Sequence, residues 1–392
     1  MSGDYIYLDN AATTPLDPRV REAMLPFMGD RSGNPSSLHG VGRQARAAVD
    51  SARGEVAKLV GAKPEEILFT ASGTEADNLA LLGAVTAGGD EARHVVTSAI
   101  EHPAVLETCH ELERRGVEVS YAAPTPDGII TPEALASVLR PETFLVSIMT
   151  ANNIVGTIQP IAELARLAHA QGALLHTDAV QAAGKMLLDV DRLGVDLLSI
   201  SAHKLHGPQG IGALYVRECT NLTPIVFGGG QERGLRSATE NVAGIVGFGE
   251  ATRIARDEMA REAVRLVGLR DRIFDTVAVK IRGSYVIGDH FRRLPGHVTL
   301  AFAGLEAEAI HLLLALDEHG VAISSGSACS AHHRGEPSHV LRAMGFDVIR
   351  ARGALRVTLG RFTTDADVDR FLEILPQTVA TLRPVVTHAS LL

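Results

Sequence analysis

Three clusters of small and polar residues each follow a short apolar segment between residues 67 and 204. They are Thr70–Glu75, His176–Gln181 and Ser199–Lys204. Short apolar segments that alternate with helical patterns indicate the strands of a parallel sheet. In such sheets ligands bind beyond the carboxyl ends of the strands, so the three clusters are candidates for one ligand site.

The first cluster predicts a phosphate-binding turn at Gly73 and Thr74. A strand that runs into small residues and then a helix exposes backbone N–H groups at the helix start, where the helix dipole favours an anion. The alternative is an ordinary helix cap, because Ser72 or Thr74 followed by Glu75 satisfies the first turn without a ligand. The turn alone does not decide between the two.

The second cluster places Asp178 at the end of an apolar strand, with Gln181 three residues later. A carboxylate in this position keeps a pyridine nitrogen protonated, which makes the ring an electron sink. The alternative is an aspartate that caps the next turn of the chain.

The third cluster ends at Lys204, after Ser201 and His203 and before turns rich in glycine and proline. A lysine in a closed crevice loses solvation, which lowers the pKa of its amine and lets it attack an aldehyde. A solvated loop lysine is the alternative. The order of phosphate turn, pyridine partner and lysine favours one site that holds pyridoxal phosphate as a Schiff base on Lys204.

Cys329 is the cysteine whose context favours reactivity. It lies in Ile323–Ser330, a run of serine and glycine that cannot build a core, so we expect a mobile segment and an accessible thiol. A thiolate is a nucleophile, and nearby cationic groups stabilise it. The alternative is a small buried hydrophobe, a description that fits Cys109 on the apolar face of a predicted helix.

The composition is that of an ordinary globular protein, with 46% hydrophobic residues, 21% charged residues and a formal net charge of −9. The absence of a basic block argues against a nucleic-acid-binding face. The sequence contains no apolar run of about eighteen residues, the length that would predict a membrane span, and its N-terminus lacks a secretory pattern. Three isolated cysteines without a Cys-x-x-Cys pair argue against a disulfide framework and a zinc site, and they favour a cytoplasmic location.

The order of predicted elements indicates two domains. Helix-like and strand-like segments alternate from about residue 40 to residue 220, which predicts a mostly parallel α/β sheet with helices on both faces. Beyond residue 258 a charged helix over 257–272 precedes fewer strands, which predicts a smaller α+β domain. We expect a large domain at 15–257 and a small domain formed by 1–14 and 258–392, which carries the Cys329 loop.

Seven motifs occur in a fixed order along nearly the whole chain. They are Tyr7–Pro15, Gly33–Ser37, Thr74–Asn78, Glu101–Val105, Arg236–Asn241, Ser325–Cys329 and Leu359–Thr363. Together they resemble the cysteine desulfurases, which belong to the class V aminotransferases of pyridoxal-phosphate fold type I. Each motif alone is modestly specific, whereas the ordered set is highly specific.

The resemblance implies a role for individual residues. Lys204 carries the cofactor, Asp178 pairs with its ring nitrogen, and Gln181 bonds to its ring hydroxyl. His102 stacks on the ring and moves protons. The other implied roles are phosphate binding (Thr74, Ser201, His203 and, from the second subunit, Thr239), binding of the substrate carboxylate (Asn34, Asn153, Arg356) and sulfur acceptance (Cys329).

The implied reaction converts L-cysteine to L-alanine. Cys329 attacks the substrate sulfur as a thiolate, becomes a persulfide and passes the sulfur to an acceptor protein such as an iron–sulfur scaffold. The implied enzyme is a homodimer with its sites near the subunit interface.

Two segments depart from the family pattern. Ile154 stands where the family often has a glutamate, although Asn153 is present, and His332 and His333 follow Cys329 where the family has no such pair. We interpret the two histidines as part of a variable solvated loop. The alternative is that they stabilise the thiolate or persulfide.

Two other functions are compatible with these motifs. A selenocysteine lyase has the same fold, and comparison of turnover with cysteine and selenocysteine distinguishes it. A non-catalytic fold member that acts as a binding partner is the second alternative, and the filled catalytic positions argue against it.

Overall fold

The computed structural model of the protein describes residues 5–326 and 337–389, with side chains described as far as residue 383. The strands are β1 Ile6–Tyr7, β2 Ile67–Thr70, β3 His94–Ser98, β4 Glu118–Ala122, β5 Thr143–Ser147, β6 Leu174–Asp178, β7 Leu197–Ser201, β8 Gly212–Val216, β9 Ser284–Val286, β10 His297–Phe302, β11 Val321–Ala322, β12 Ser324–Ser325 and β13 Leu355–Thr358. The α-helices are α1 Pro18–Met24, α2 Gly40–Val60, α3 Gly73–Gly88, α4 Pro103–Arg114, α5 Pro132–Ala136, α6 Ile161–Ala170, α7 Val190–Leu193, α8 Val242–Lys280, α9 Ala309–Glu318, α10 His339–Ala343 and α11 Asp365–Ala389. Within the described ranges no helix combines the length and the apolar character that a bilayer span needs.

The large sheet has seven strands in the order β2, β8, β7, β6, β5, β3, β4. The pairs among β3 to β7 are parallel, and β8 runs antiparallel to both of its neighbours. Strand residues alternate between two apolar clusters. Leu68 and Val95 lie in the cluster with α3 and α4, whereas Phe69 and Val96 lie in the cluster with α2, α6 and α8. Helices therefore cover both faces, and the predicted α/β fold is confirmed.

The second sheet has four antiparallel strands in the order β12, β13, β10, β9, and β1 pairs with β11 beside it. A separate apolar cluster joins these strands to α9, α11 and the C-terminal half of α8. It includes Ile6, Ile273, Val298, Leu312 and Phe371.

Helix α8 connects the two apolar clusters. Its N-terminal half contributes to the large-sheet cluster as far as Ala255, and its C-terminal half contributes to the second cluster from Leu266 onwards. The separate charged helix expected over 257–272 is wrong, because the helix spans Val242–Lys280 without a break. Neither glycine nor proline occurs between Gly249 and Gly268 to end it. The division into two domains stays a prediction.

Candidate active site

A cavity of about 220 Å³ lies at the carboxyl ends of β6 and β7, beside the start of α3. The structure brings the three polar clusters of the sequence together around it. Nine predicted site residues line the cavity: Gly73, Thr74, His102, Asn153, Asp178, Gln181, Ser201, His203 and Lys204. Five further residues complete the lining: Ala11, Ser72, Asp77, Met149 and Val180.

The start of α3 suits a phosphate group. Ser72 caps the helix, since its Oγ accepts from Glu75 N at 3.1 Å, and the earlier N–H groups of a first turn have no intrahelical partner. A Cβ on Gly73 would lie 2.7 Å from Val180 Cγ2, so a residue with a side chain does not fit there without displacing Val180. Ser201 Oγ is buried and has no hydrogen-bond partner among the described residues. The turn is thus a helix cap that still offers donors to an anion.

Asp178 is a buried carboxyl at the end of β6, only 5% exposed. Its Oδ1 accepts from Val180 N at 2.8 Å. Burial raises the pKa of Asp178 to about 6, although the Val180 N–H and the charge of Lys204 oppose the rise. A protonated pyridine nitrogen would favour the ionised carboxylate further.

Lys204 is held at the cavity by the N-terminal segment of the chain. Its Nζ donates to Ala11 O at 2.5 Å and to Ala12 O at 2.7 Å. The same segment is tied to the end of β7, because the backbone N and the Oγ1 of Thr14 both donate to His203 O at 2.9 Å. Gln181 joins this contact through Nε2, which donates to Ala11 O at 2.9 Å.

Lys185 is a second lysine near the site, and the sequence analysis missed it. Its Nζ donates to Gln181 Oε1 at 3.2 Å. Burial lowers the pKa of Lys185 to about 7, and the charges of Lys204 and Arg356 add to the effect. Its position four residues after Gln181 was the available signal, but a lysine in a turn is ordinary without the fold around it.

His102 caps α4 and lines the cavity. Its Nδ1 accepts from Ala104 N at 3.1 Å, which assigns the ring proton to Nε2 in the neutral form. Burial lowers the pKa of His102 to about 4, and the charge of Lys204 contributes. The imidazole is therefore neutral at physiological pH and able to exchange a proton at Nε2.

Arg356 reaches the site from the second sheet. Its side chain is buried, with Nη1 donating to Asn153 O at 3.1 Å and Nη2 donating to Asp9 Oδ1 at 3.0 Å. Arg356 does not line the cavity itself, but Asn153 does. The two predicted substrate residues are thus in contact, although they lie far apart in the sequence.

Some residues that the sequence predicted for the site do not line the cavity in the single chain. Asn34 accepts from Ser36 N at 2.9 Å through its side chain and is absent from the cavity lining, and Thr239 is exposed. Cys329 lies outside the described residues, as do His332 and His333. The expectation of a mobile serine and glycine segment is wrong for Ser324–Ser325, because these residues are buried in β12 and pair with β13.

Known proteins resemble this chain along most of its length. A family model described as aminotransferase class-V matches residues 6–371. A cysteine desulfurase IscS of Dictyoglomus turgidum is 47% identical over 380 residues, which cover 97% of this chain and 96% of the relative. The solved structure of a NifS-like protein is 38% identical with a TM-score of 0.90 and covers 96% of this chain and 100% of that chain. The structure of SspA in complex with cysteine is 35% identical with a TM-score of 0.80 and covers 92% and 100% of the two chains.

The chain belongs to the aminotransferase class-V family and is a pyridoxal-phosphate-dependent enzyme of fold type I. Within that family it is a cysteine desulfurase, as the ordered motifs predicted. The residues around the cavity fit this cofactor, because the start of α3 offers N–H groups to a phosphate, Ser201 Oγ lacks another partner in the described chain, and Asp178 presents a buried carboxyl to the cavity.

Proposed function

We propose that this chain converts L-cysteine to L-alanine and holds the released sulfur as a persulfide on Cys329 for transfer to an acceptor protein. The observation that carries the proposal is one cavity that unites Lys204, Asp178 and His102, with Arg356 in contact with its wall. The similarity to proteins named cysteine desulfurase, and to a structure determined with cysteine, supports this substrate.

The cavity residues divide into groups with separate tasks. Pyridoxal phosphate supplies an aldehyde that condenses with amines and a ring that delocalises the electrons released at Cα. Lys204 supplies the amine for its attachment, Asp178 pairs with the ring nitrogen, and Gln181 bonds to the ring hydroxyl. The phosphate group is assigned to Gly73, Thr74, Ser201, His203 and, from the second subunit of a homodimer, Thr239.

The substrate is oriented by its carboxylate. The planar guanidinium of Arg356 suits a carboxylate because two parallel N–H groups can bind both oxygens. Asn153 and Asn34 are the assigned helpers. His102 stacks on the ring and moves a proton through Nε2, since its Nδ1 is occupied by the helix cap.

Sulfur transfer requires Cys329 as a thiolate. Its sulfur attacks the sulfur of the bound substrate, so that a sulfur–sulfur bond forms while the substrate carbon–sulfur bond breaks. The electron pair of the broken bond stays with the carbon, which takes up a proton and leaves as alanine. The strand that precedes Cys329 in the sequence is β12, and its Ser324 pairs with Arg356 of β13. We assign the acceptor to a protein such as an iron–sulfur scaffold, in the cytoplasm.

The test is turnover of L-cysteine by the purified protein with pyridoxal phosphate and a reductant. We expect alanine and sulfide in equal amounts, and loss of sulfide release in Cys329→Ser. Cys219→Ser is the matched control, because Cys219 is exposed and lies outside the cavity lining. Full-rate sulfide release by Cys329→Ser would rule out the persulfide step, and turnover of selenocysteine alone would favour a lyase.

A further inference from the structure

A row of buried polar side chains crosses the face of the large sheet that α3 covers. Ser147, His176 and Ser199 lie on the adjacent strands β5, β6 and β7, and each is 0% exposed. His176 contacts both hydroxyls, with Nδ1 at 2.8 Å from Ser147 Oγ and Nε2 at 3.0 Å from Ser199 Oγ. Asp77 of α3 meets this row, since its Oδ1 lies 3.6 Å from His176 Nε2.

Asp77 has no cation to neutralise it. It is 1% exposed, its Oδ1 has no hydrogen-bond partner among the described residues, and the only basic group within ion-pair distance in that part of the chain is His176. Burial lowers the pKa of His176 to about 3, so the imidazole is neutral. A buried carboxylate without a cation is unfavourable by several kcal/mol, and the group keeps its proton instead.

Asp77 and Asp178 form a pair of carboxyls at one cavity. Both line it, and Asp178 stands two residues after His176 on β6, opposite Ser199 of β7, so its side chain points to the same face. Asp178 receives the Val180 N–H and lies near the charge of Lys204, whereas Asp77 has neither. When two close carboxyls share a buried site, only one ionises readily, and the better-solvated member is the one that does.

We propose that Asp77 is a positioning residue that keeps its proton, so that Asp178 alone carries the negative charge that faces the ring nitrogen. The neighbouring Ser147–His176–Ser199 row supplies polar groups but no positive charge beside Asp77. The inference rests on the proposed role of Asp178 toward the cofactor. A protonated Asp77 leaves the cavity wall with one carboxylate charge, that of Asp178, instead of two.

The direct test is infrared difference spectroscopy of the holoenzyme at neutral pH, where most carboxyls are ionised and a protonated one has a separate C=O band. We expect Asp77→Asn to lose such a band. Glu101→Gln is the matched control, since burial raises the pKa of Glu101 to about 8 and this variant loses a band of its own while the Asp77 band stays. A spectrum of Asp77→Asn that retains every protonated-carboxyl band overturns the proposal.

Cofactor affinity gives a second readout that does not depend on cysteine turnover. Asp77→Ala removes a buried polar group from the cavity wall, so we expect the Kd for pyridoxal phosphate to rise by about tenfold. Asp77→Asn keeps a neutral donor and should recover most of that loss, with circular dichroism used to confirm that each variant is folded. If Asp77→Asn binds as weakly as Asp77→Ala, the charge of Asp77 matters and the inference fails. A protein that shows both effects but does not desulfurate cysteine would instead disprove the proposed function.

Discussion

Burial affects the acidic and the cationic groups near the cavity differently. The acids are Asp77, Glu101 and Asp178, and the cations are Lys185, Lys204 and Arg356. Burial raises the pKa of all three acids, which makes each of them harder to ionise than in water. Lys204 instead binds the carbonyl oxygens of Ala11 and Ala12, and Arg356 binds Asp9 and a carbonyl oxygen. Burial thus favours the neutral form of each acid, whereas these two cations have oxygen acceptors.

One acid and one cation differ from the other members of their sets. Asp178 has a backbone N–H donor and the nearby charge of Lys204, which makes it the acid most able to ionise. Lys185 donates to one recorded acceptor, Gln181 Oε1, and burial together with the charges of Lys204 and Arg356 lowers its pKa to about 7. Hydrogen-bond donors and neighbouring charges therefore oppose or reinforce the effect of burial, and the balance sets the charge of each group in this site.

The largest effect on activity is expected from a change at Asp178, the acid that the proposed reaction needs in its ionised form. Asp178→Asn removes the negative charge that we propose sustains a protonated ring nitrogen, so we expect kcat/KM for L-cysteine to fall by about 100-fold or more. Alanine formation measures the change, and Asp191→Asn on the surface of α7 serves as the control. A loss of less than about threefold would mean that Asp178 does not supply this charge.

A smaller effect is expected for Arg356, the cation to which we assign binding of the substrate carboxylate. Arg356→Lys keeps a charge but loses the planar fork, so we expect KM for L-cysteine to rise by about tenfold, with a smaller change in kcat. Steady-state kinetics distinguish the two parameters, and Arg166→Lys on the exposed side of α6 is the control. An unchanged KM would assign the substrate carboxylate to another residue.

The smallest effect concerns stability and Lys185. The pKa of this lysine is about 7 when folded and 10.5 ordinarily, because burial disfavours its charged form. Between these pH values the unfolded chain binds more protons, so stability rises with pH, and the cost of burying the charge is fully present only below about pH 7. Compared with the unsubstituted protein, Lys185→Met should therefore gain more free energy of unfolding at pH 6 than at pH 10. We expect a difference on the order of 1 kcal/mol, after allowance for the exposure of Lys185 to a cavity.

Urea unfolding of the cofactor-free protein at the two pH values measures this difference. Lys58→Met, on the exposed face of α2, controls for the loss of one lysine. If Lys185→Met changes stability equally at pH 6 and pH 10, Lys185 is not the group that titrates between them.

Local sequence patterns predicted much of the fold and part of the site. The alternating segments expected from about residue 40 to residue 220 include the observed helices Gly40–Val60 and Ile161–Ala170, because a 3.6-residue apolar period is visible in the sequence alone. The three polar clusters were recognised because each follows an apolar strand. Continuity of α8 was missed, since the periodic pattern does not show which of two cores each half of a helix will contact.

The order of residues along the chain was sufficient to identify the family, the cofactor and the residues at strand ends, since those depend on motifs and on contacts between near neighbours. The charge state of Asp77 and of Lys185, and the contact between Arg356 and Asn153, follow from the folded arrangement. Solvation and hydrogen-bond partners set the free energy of a charge, and these partners come from segments that are distant in sequence and adjacent only once the two sheets have packed.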